Sequence, residues 1–372
     1  MKKVVFFAIA AAIMAVSCSK TEPKAPKQNV IGFQPANSLA TKAIEGSVFP
    51  TTDVFGTYAW VNGEDGEIFI DNDKVAYDED HSVWTTVNNT YYWPKNESLD
   101  FISYYPYNVE GVTIARKQIN YDLDFYTANG SNNKGIDFMY ADKAVGFTDN
   151  ADEVSNGTQN AYEGVPTIFR HAGAKVRVVV VLGENEKVEA ATGTKTKWEV
   201  KLKKAILTDI YSKGTCVLNL ATSPVTGVVG WVKPEGSVWT PDVTVKRNYE
   251  SFFNQVISLN TGNEVIPYTF VLPQALATEQ QKIYLELEIK TWRASAGEDY
   301  AEEPTLTQPS VNVSADLLIR DNNGIAVVDK WQMNQAITYT ITLGPAGKQI
   351  TFDPAIINWD NKVYDTNIEL EI

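Results

Sequence analysis

The rare reactive residue types in this sequence are two cysteines, Cys18 and Cys216, and two histidines, His81 and His171. A thiol can act as a nucleophile or carry an acyl group, and an imidazole can move a proton near neutral pH. Neither histidine lies in a nucleophile, zinc or phosphate-loop motif. We therefore predict that the chain is not an enzyme, with no catalytic residue, no metal site and no cofactor.

An acidic stretch around His81 is the other candidate for chemistry. Asp71 and Asp73 precede the run Asp-Glu-Asp at 78–80. Several carboxylate oxygens together suit Ca²⁺, but the stretch lacks the glycine and glutamate spacing of an EF-hand. A solvated acidic turn is the interpretation that we adopt, with a calcium site as its alternative.

Cys18 stands at the end of an apolar run that begins the chain. Lys2 and Lys3 precede the run 4–16, which is typical of a signal peptide and too short to span a bilayer as a helix. The sequence Ala-Val-Ser-Cys at 15–18 resembles the lipobox of bacterial lipoproteins. This resemblance predicts a signal peptide over residues 1–17 and lipidation of Cys18; the alternative is an ordinary secretory signal with an unrelated cysteine.

The charge of the chain argues against nucleic-acid partners. The sequence has 32 Lys and Arg against 46 Asp and Glu, a net charge of -14. Nucleic acids and anionic lipids bind surfaces on which cationic side chains are clustered. If Cys18 is acylated, Cys216 is the sole remaining thiol and no intrachain disulfide can form. Cys216 is then expected to pack as a small hydrophobic residue.

Strand patterns recur along the whole chain, separated by Gly, Pro and Asn. In the first half we predict strands at 54–61, 66–70, 83–87, 90–93, 99–105 and 136–141. In the second half the run 176–182 is aliphatic apart from Arg177, and we predict a strand covered on both faces. Three further stretches, 198–203, 283–290 and 337–343, alternate apolar and polar residues, as in strands with one buried face.

The fold expected from these patterns is all-β, with two tandem β-sandwich domains. Residues 19–28 are polar and rich in Lys and Pro, and residues 18–42 are assigned to a lipidated tether or propeptide. The polar stretch 149–164 lacks periodicity and suggests a boundary. We therefore predict an N-terminal sandwich over 43–163 and a C-terminal sandwich over 164–372.

Three segments resemble the fimbrillin superfamily, the Mfa-like and FimA-like subunits of type V pili in Bacteroides relatives. Residues 91–107, YYWPKNESLDFISYYPY, look like that family's "YWP…LDFYAYYP" hairpin. Residues 169–176, FRHAGAKV, are similar to its "F-x-H-A-x-A-K-V" strand, and Trp331 with 339–343, 350–352 and Trp359 resembles its closing strands. The resemblance implies transthyretin-like domains and a pilus subunit, placed at the outer membrane and on cell-surface fimbriae.

The resemblance also implies an assembly mechanism. Subunits of this family travel as lipoproteins, a trypsin-like protease removes a leading segment, and a strand from a neighbouring subunit fills the vacated groove. Here Lys42 and Ala43, in Leu-Ala-Thr-Lys-Ala, look like the family's cleavage site, and 30–33 would be the leaving strand. The alternative is an exposed linker lysine of no consequence.

The chain terminus is the candidate donor strand. Ile368, Leu370 and Ile372 alternate with Glu369 and Glu371. A strand with this pattern can fill a groove with its apolar face and expose the other face to solvent. The same pattern would serve as the last strand of the chain's own domain. Both interpretations stay open from the sequence.

Two other functions compete with a polymerising stalk or tip subunit. The first is a fimbrial anchor that keeps its lipid on Cys18 and stays in the outer membrane. The second is a surface lipoprotein that binds a glycan or host ligand without polymerising, with Trp231, Trp239 and Trp292 as surfaces for stacking on sugars. These tryptophans serve equally well as core anchors.

Overall fold

The structure is a computed structural model that describes residues 30–37, 49–62, 66–116, 118–126, 135–148, 159–160, 164–219, 238–257, 259, 261–321, 323–344, 350–358 and 361–364. Several sequence predictions lie outside these residues: the signal peptide at 1–17, the lipidated Cys18, the cleavage site at Lys42 and Ala43, and the donor positions Ile368, Leu370 and Ile372. The described part of the chain contains no helix that is long and apolar enough to cross a membrane.

All regular elements described are β-strands. The first eleven are β1 Gly32–Asn37, β2 Phe55–Val61, β3 Ile68–Asp78, β4 Val83–Thr86, β5 Leu99–Tyr105, β6 Val112–Ala115, β7 Gln118–Asp124, β8 Met139–Ala141, β9 Ala144–Thr148, β10 Gln159–Asn160 and β11 Val165–His171. The others are β12 Ala174–Leu182, β13 Glu186–Glu189, β14 Thr194–Tyr211, β15 Lys213–Asn219, β16 Thr240–Pro241, β17 Lys246–Val256, β18 Asn263–Val271, β19 Lys282–Ser295, β20 Leu306–Asp316, β21 Ile319–Arg320, β22 Ala326–Val328, β23 Gln335–Leu343, β24 Ile350–Asn358 and β25 Asn361–Tyr364. The predicted all-β fold is confirmed.

The first sheet closes on itself. Its strand order is β10-β9-β5-β2-β3-β4-β1-β11-β8, and β8 pairs with β5 as well, so that β5, β2, β3, β4, β1, β11 and β8 form a ring. The edge of β5 is shared, because Leu99 and Phe101 pair with β9 whereas Tyr104 and Tyr105 pair with β8. Closure leaves no strand of the ring with an unpaired edge along its whole length.

Aromatic and aliphatic side chains fill the interior of this ring. Buried and less buried residues alternate along β4 and much of β11, whereas nearly every residue of β2 and β5 is buried, because the other face of these two strands packs in a further apolar cluster. The buried members include Phe33, Phe55, Val75, Trp84, Leu99, Phe101, Val165 and Phe169. Burying a large apolar side chain stabilises the fold by about 1.5–3 kcal/mol, so this cluster supplies the main driving force for closing the sheet.

A sandwich forms the second half of the described chain. One sheet has the order β18-β12-β23-β24-β25, and the other has the order β13-β14-β19-β20, with β17 paired to β14. A single core joins the two sheets, built from the alternating residues of β12, β14, β19 and β23. In its centre the indole Nε1 of Trp331 donates to the Tyr339 hydroxyl at 3.0 Å, and that hydroxyl donates to the carbonyl of Leu317 at 3.0 Å.

The aliphatic run of β12 differs from its prediction. We expected both faces to be covered, but Val176, Val178 and Val180 are buried whereas Val179 and Val181 are half-buried. β12 lies between β18 and β23, and only one of its faces meets the sandwich core. β-Branched residues on the other face fit a pleated strand without full burial.

A third cluster joins the closed sheet to the sandwich. The sheet β16-β15-β7-β6 contributes Tyr121 and Cys216, and Trp239 lies beside them. The Trp239 ring stacks on Tyr121 at 5.8 Å, and its indole Nε1 donates to the carbonyl of Ala172 at 2.8 Å. Trp239 is therefore a core anchor, and Cys216 packs as a small buried residue, 2% exposed.

The division of the chain into domains at 163 and 164 stays a prediction. Strand β11 begins at Val165 but pairs with β1 and β8 of the closed sheet, so this pairing crosses the predicted boundary. β15, further along the chain, likewise pairs with β7.

Candidate strand-binding groove

Strand β1 lies within the ring although it belongs to the predicted propeptide, residues 18–42. On one side it runs parallel to β11, with Phe33 opposite Val165 and Asn37 opposite Phe169. On the other side it is antiparallel to β4, with Gly32 opposite Thr85. We call the space that β1 occupies between β4 and β11 the β1 groove.

Two side chains of this segment point into the core of the ring. Ile31 is fully buried and Phe33 is 3% exposed, whereas the side chain of Gln34, the next residue of β1, is exposed. The Phe33 ring meets Phe55 at 5.9 Å and Phe101 at 6.0 Å, both edge to face. Such aromatic pairs add about 0.5–1.5 kcal/mol beyond the burial of their area. Phe33 is the main hydrophobic anchor of β1.

The start of the segment is held by backbone contacts to the loop before β5. The amide of Ile31 donates to the carbonyl of Tyr91 at 2.9 Å, and Val30 forms an isolated bridge with Tyr92. Trp93, next in this loop, is buried with its ring edge to face with Phe101 at 5.8 Å. The aromatic loop 91–93, before β5, thus shapes one end of the β1 groove.

The chain returns to the same core at Phe49. This residue is 1% exposed. Its ring stacks on Phe169 at 4.9 Å and meets Trp84 at 5.4 Å. Residues 38–48 therefore connect two anchored points, the end of β1 at Asn37 and the buried Phe49.

The wall formed by β4 is braced by a buried carboxylate. Asp73 is 2% exposed. Its Oδ1 accepts from the Lys74 amide at 2.7 Å and from Asn88 Nδ2 at 2.8 Å, and its Oδ2 accepts from Asn89 Nδ2 at 3.2 Å. The Thr86 hydroxyl, in β4 itself, donates to the carbonyl of Asn89 at 2.6 Å. None of these hydrogen bonds involves β1.

The wall formed by β11 is braced in a similar way. Arg170 Nε and Nη2 donate to the two carboxylate oxygens of Asp142 at 2.6 and 2.7 Å. Bidentate pairs of this kind fix geometry as well as adding energy. His171 Nδ1 lies 2.7 Å from Asp137 Oδ1, so this histidine is held by a side-chain hydrogen bond. Both walls therefore have supports that are independent of β1.

A buried ionic cluster on β5 supports the ring opposite the groove. Asp100 is 2% exposed and its carboxylate lies 3.6 Å from Lys143 Nζ and 3.3 Å from Arg116 Nη2. The amide of Gly146 donates to Asp100 Oδ1 at 2.9 Å. Breaking a buried pair by removing one partner leaves an uncompensated charge. This cluster therefore fixes β9 against β5.

Tyr105 closes the end of the ring near Phe49. Its hydroxyl donates to Asp53 Oδ2 at 3.1 Å, and its ring meets Phe49 edge to face at 5.5 Å. Burial, reinforced by the negative charge of Asp53, raises the pKa of Tyr105 to about 12. The phenol stays neutral at physiological pH and serves as a hydrogen-bond donor.

Comparison with protein families gives one decisive match. A model described as fimbrillin-like matches residues 41–359, most of the chain. The chain belongs to the fimbrillin-like family. This membership makes it a fimbrial, adhesion-related structural protein of the cell surface.

Solved structures of Bacteroides proteins are similar to this fimbrillin-like chain. A fimbrial protein from Bacteroides vulgatus matches with a TM-score of 0.51 and 13% identity, covering 89% of this chain and 99% of the other. A protein from Bacteroides uniformis, proposed to act in cell adhesion, matches with a TM-score of 0.46 and 18% identity, covering 90% of this chain and 100% of the other. No curated protein matches by sequence.

The acidic stretch of the fimbrillin-like chain does not come together as a site. Asp73 is buried among asparagines, Asp71 is exposed, and Asp78 Oδ2 lies 2.8 Å from His81 Nδ1. The hydrogen bond to Asp78 raises the pKa of His81 and lowers the pKa of Asp78. Within the described ranges, no group of three or more His, Cys, Asp or Glu side chains is placed to hold a metal ion.

The tryptophans considered for sugar stacking fall into three situations. Trp239 is buried in the core that joins the sheets, and Trp231 lies outside the described residues. Trp292, on β19, is half-buried, with Lys197 Nζ 5.8 Å from its ring centroid and its Nε1 donating to the carbonyl of Glu302 at 3.5 Å.

Sequence reasoning missed two features of the ring in this fimbrillin-like chain. Phe49 was not singled out, although the apolar pair Val48 and Phe49 between Ser47 and Pro50 is a signal for an anchor beside a polar segment. The burial of two carboxylates, Asp73 and Asp100, was also not predicted. Asp100 stands inside the apolar stretch Leu-Asp-Phe-Ile, and a charge within such a run indicates a paired, buried group.

Proposed function

We propose that this chain is a structural subunit, stalk or tip, of a type V-like fimbria that supports adhesion. It assembles by strand exchange with other pilus subunits after proteolytic removal of its propeptide. Residues 1–17 direct export, a lipid on Cys18 holds the precursor at the outer membrane, and a protease cuts between Lys42 and Ala43. The observation that carries this proposal is the position of β1 between β4 and β11.

The β1 groove supports strand exchange because an empty groove would leave strand edges and core side chains exposed to water. Loss of β1 would expose the unpaired edges of β4 and β11 together with the core side chains that Phe33 covers. An open edge beside an apolar trough is a template for another strand. A strand from a neighbouring subunit would restore the main-chain hydrogen bonds and fill the core, as in β-strand addition.

The sequence between the two anchored points supports cleavage at Lys42. Between Asn37 and Phe49 the chain contains a single Lys or Arg, namely Lys42. A trypsin-like protease acting in this interval has one position to cut. Cleavage there breaks the covalent connection between β1 and the rest of the ring and leaves Phe49 on the body of the subunit.

The tail is proposed as the donor strand because its pattern matches that of β1. Ile31 and Phe33 point inward two residues apart, and Gln34 is exposed. Ile368, Leu370 and Ile372 repeat at the same interval, with glutamates between them. Tyr364, the last described residue, ends β25 at the edge of its sheet, so the tail follows directly after an edge strand.

Replacing Lys42 should abolish assembly. We expect cells that express the Lys42→Ala variant to contain monomer alone, whereas wild type and the Lys27→Ala control give a heat-resistant ladder on denaturing gels. Lys27 precedes β1, so its loss leaves the cut between β1 and Phe49 intact. A ladder of equal intensity from Lys42→Ala would contradict processing at this site. The absence of a ladder from every form would indicate a surface lipoprotein that does not polymerise.

A further inference from the structure

We infer that the ring binds β1 as an exchangeable peptide ligand and keeps it after the chain is cut, so that cleavage permits exchange but does not open the β1 groove. A competing strand must displace the cut peptide. The inference rests on the proposed function for its biological setting. It is carried by the contacts of β1 and by the place where the chain would be cut.

None of the described contacts of β1 depends on the connection at 38–48. The strand pairs along β11 from Phe33 to Asn37 and with β4 at Gly32 and Phe33. The Ile31 amide is bound to the Tyr91 carbonyl. A cut after Lys42 removes none of these hydrogen bonds and leaves both Ile31 and Phe33 buried. What the cut removes is the covalent tether that makes rebinding intramolecular.

The chemistry of the groove defines the strand that can compete. A competitor that copies β1 runs parallel to β11 and antiparallel to β4, and so forms again the hydrogen bonds that β1 makes with the two edges. It must place large apolar side chains at the positions of Ile31 and Phe33. The residue between them is less restricted, since a Cβ added at Gly32 would meet only the Trp84 carbonyl oxygen, at 3.6 Å.

Phe33 is expected to determine how tightly the ring holds the cut peptide. Truncating a buried phenylalanine to alanine weakens a packed core by an amount equivalent to about a 150- to 4,000-fold change in an equilibrium constant. The Phe33→Ala substitution should therefore raise the dissociation constant of the cut peptide by about that factor. Phe252 is 61% exposed, so Phe252→Ala provides a matched control that removes the same atoms from the surface.

The test uses the full-length chain, purified in detergent, with a C-terminal affinity tag and the recognition sequence of a site-specific protease inserted after Lys42. After complete cleavage the body is captured and washed, and the N-terminal fragment is measured by mass spectrometry. We expect the fragment to stay with the body in the parent and Phe252→Ala forms and to be lost from Phe33→Ala. Circular dichroism of each uncut form verifies folding, and Phe33→Leu provides a milder second variant.

A second arm measures displacement. A synthetic peptide of residues 29–37 added to the cut complex should release the bound fragment, whereas the same peptide with alanine for Phe33 should not. Loss of the fragment immediately after cleavage in the parent form would overturn the inference, and so would equal retention by Phe33→Ala.

The outcome is independent of natural processing, because the inserted site makes the cut. If Lys42 is never cleaved in cells, the proposed function fails while this result stands. If the fragment leaves at once, retention fails while processing at Lys42 and strand exchange remain intact.

Discussion

A disulfide that staples β1 to β4 is expected to stop assembly even when the propeptide has been cut. Gly32 and Thr85 face each other across the antiparallel pair, where opposite Cβ atoms lie about 4.5–5.5 Å apart, close to the separation that a disulfide requires. The Gly32→Cys/Thr85→Cys variant should form this bond in an oxidising environment. The native Cys216 is buried and does not compete for it.

The expected effect is all-or-none and reversible. In oxidising conditions the stapled subunit should give monomer alone on gels, with the N-terminal fragment linked to the body; reduction should restore the ladder. A control staple at Lys187→Cys/Thr196→Cys joins paired residues of β13 and β14, far from the ring in sequence, and should assemble normally. Polymerisation of the oxidised β1 staple would show that β1 stays in place during assembly and would contradict strand exchange.

Removing the tail is expected to have an effect of the same size. Deletion of residues 365–372 should give a subunit that folds, is processed and remains monomeric. The reason is that the proposed donor side chains Ile368, Leu370 and Ile372 are lost while the described strands are untouched. Thermal unfolding measures folding, and electron microscopy with heat-resistant ladders measures assembly.

Substitutions in the tail test whether its apolar face fills a groove in a neighbouring subunit or whether any change in the tail blocks assembly. Serine at the three apolar positions should block assembly as deletion does, whereas serine at Glu369 and Glu371 should leave it nearly unchanged. This contrast follows from the alternation of a strand with one buried face. If the deletion lowers the midpoint of unfolding sharply, the tail is the last strand of its own sheet and donation is wrong.

Local patterns were sufficient to predict several strands. The strand predicted at 99–105 coincides with β5, and the alternating stretches around Trp198, Ile283 and Ile337 have the buried faces that their periodicity indicates. These successes share a cause: the apolar period of a half-buried strand is a property of a few neighbouring residues. The stretch 90–93 looked like another strand, but it contributes only an isolated bridge at Tyr92.

The groove itself was less accessible to sequence reasoning. The segment 30–33 reads as a short β-prone patch, and nothing in it specifies pairing with β4 on one side and β11 on the other. Parallel pairing of Phe33 with Val165 joins strands that are far apart in the chain, and such a register depends on the whole sheet. The resemblance to fimbrillins predicted a leaving strand; the ring geometry and the anchor at Phe49 came from the structure.

Strand exchange requires that the assembled subunit has lost the segment that contains β1. The most direct measurement is the intact mass and N-terminal sequence of subunits from purified fibres, compared with those of the membrane-bound precursor. We predict that fibre subunits begin at Ala43 and that the precursor begins at a lipidated Cys18. Fibre subunits that still carry lipid on Cys18, joined through residues 18–42 to the ring, would contradict the account.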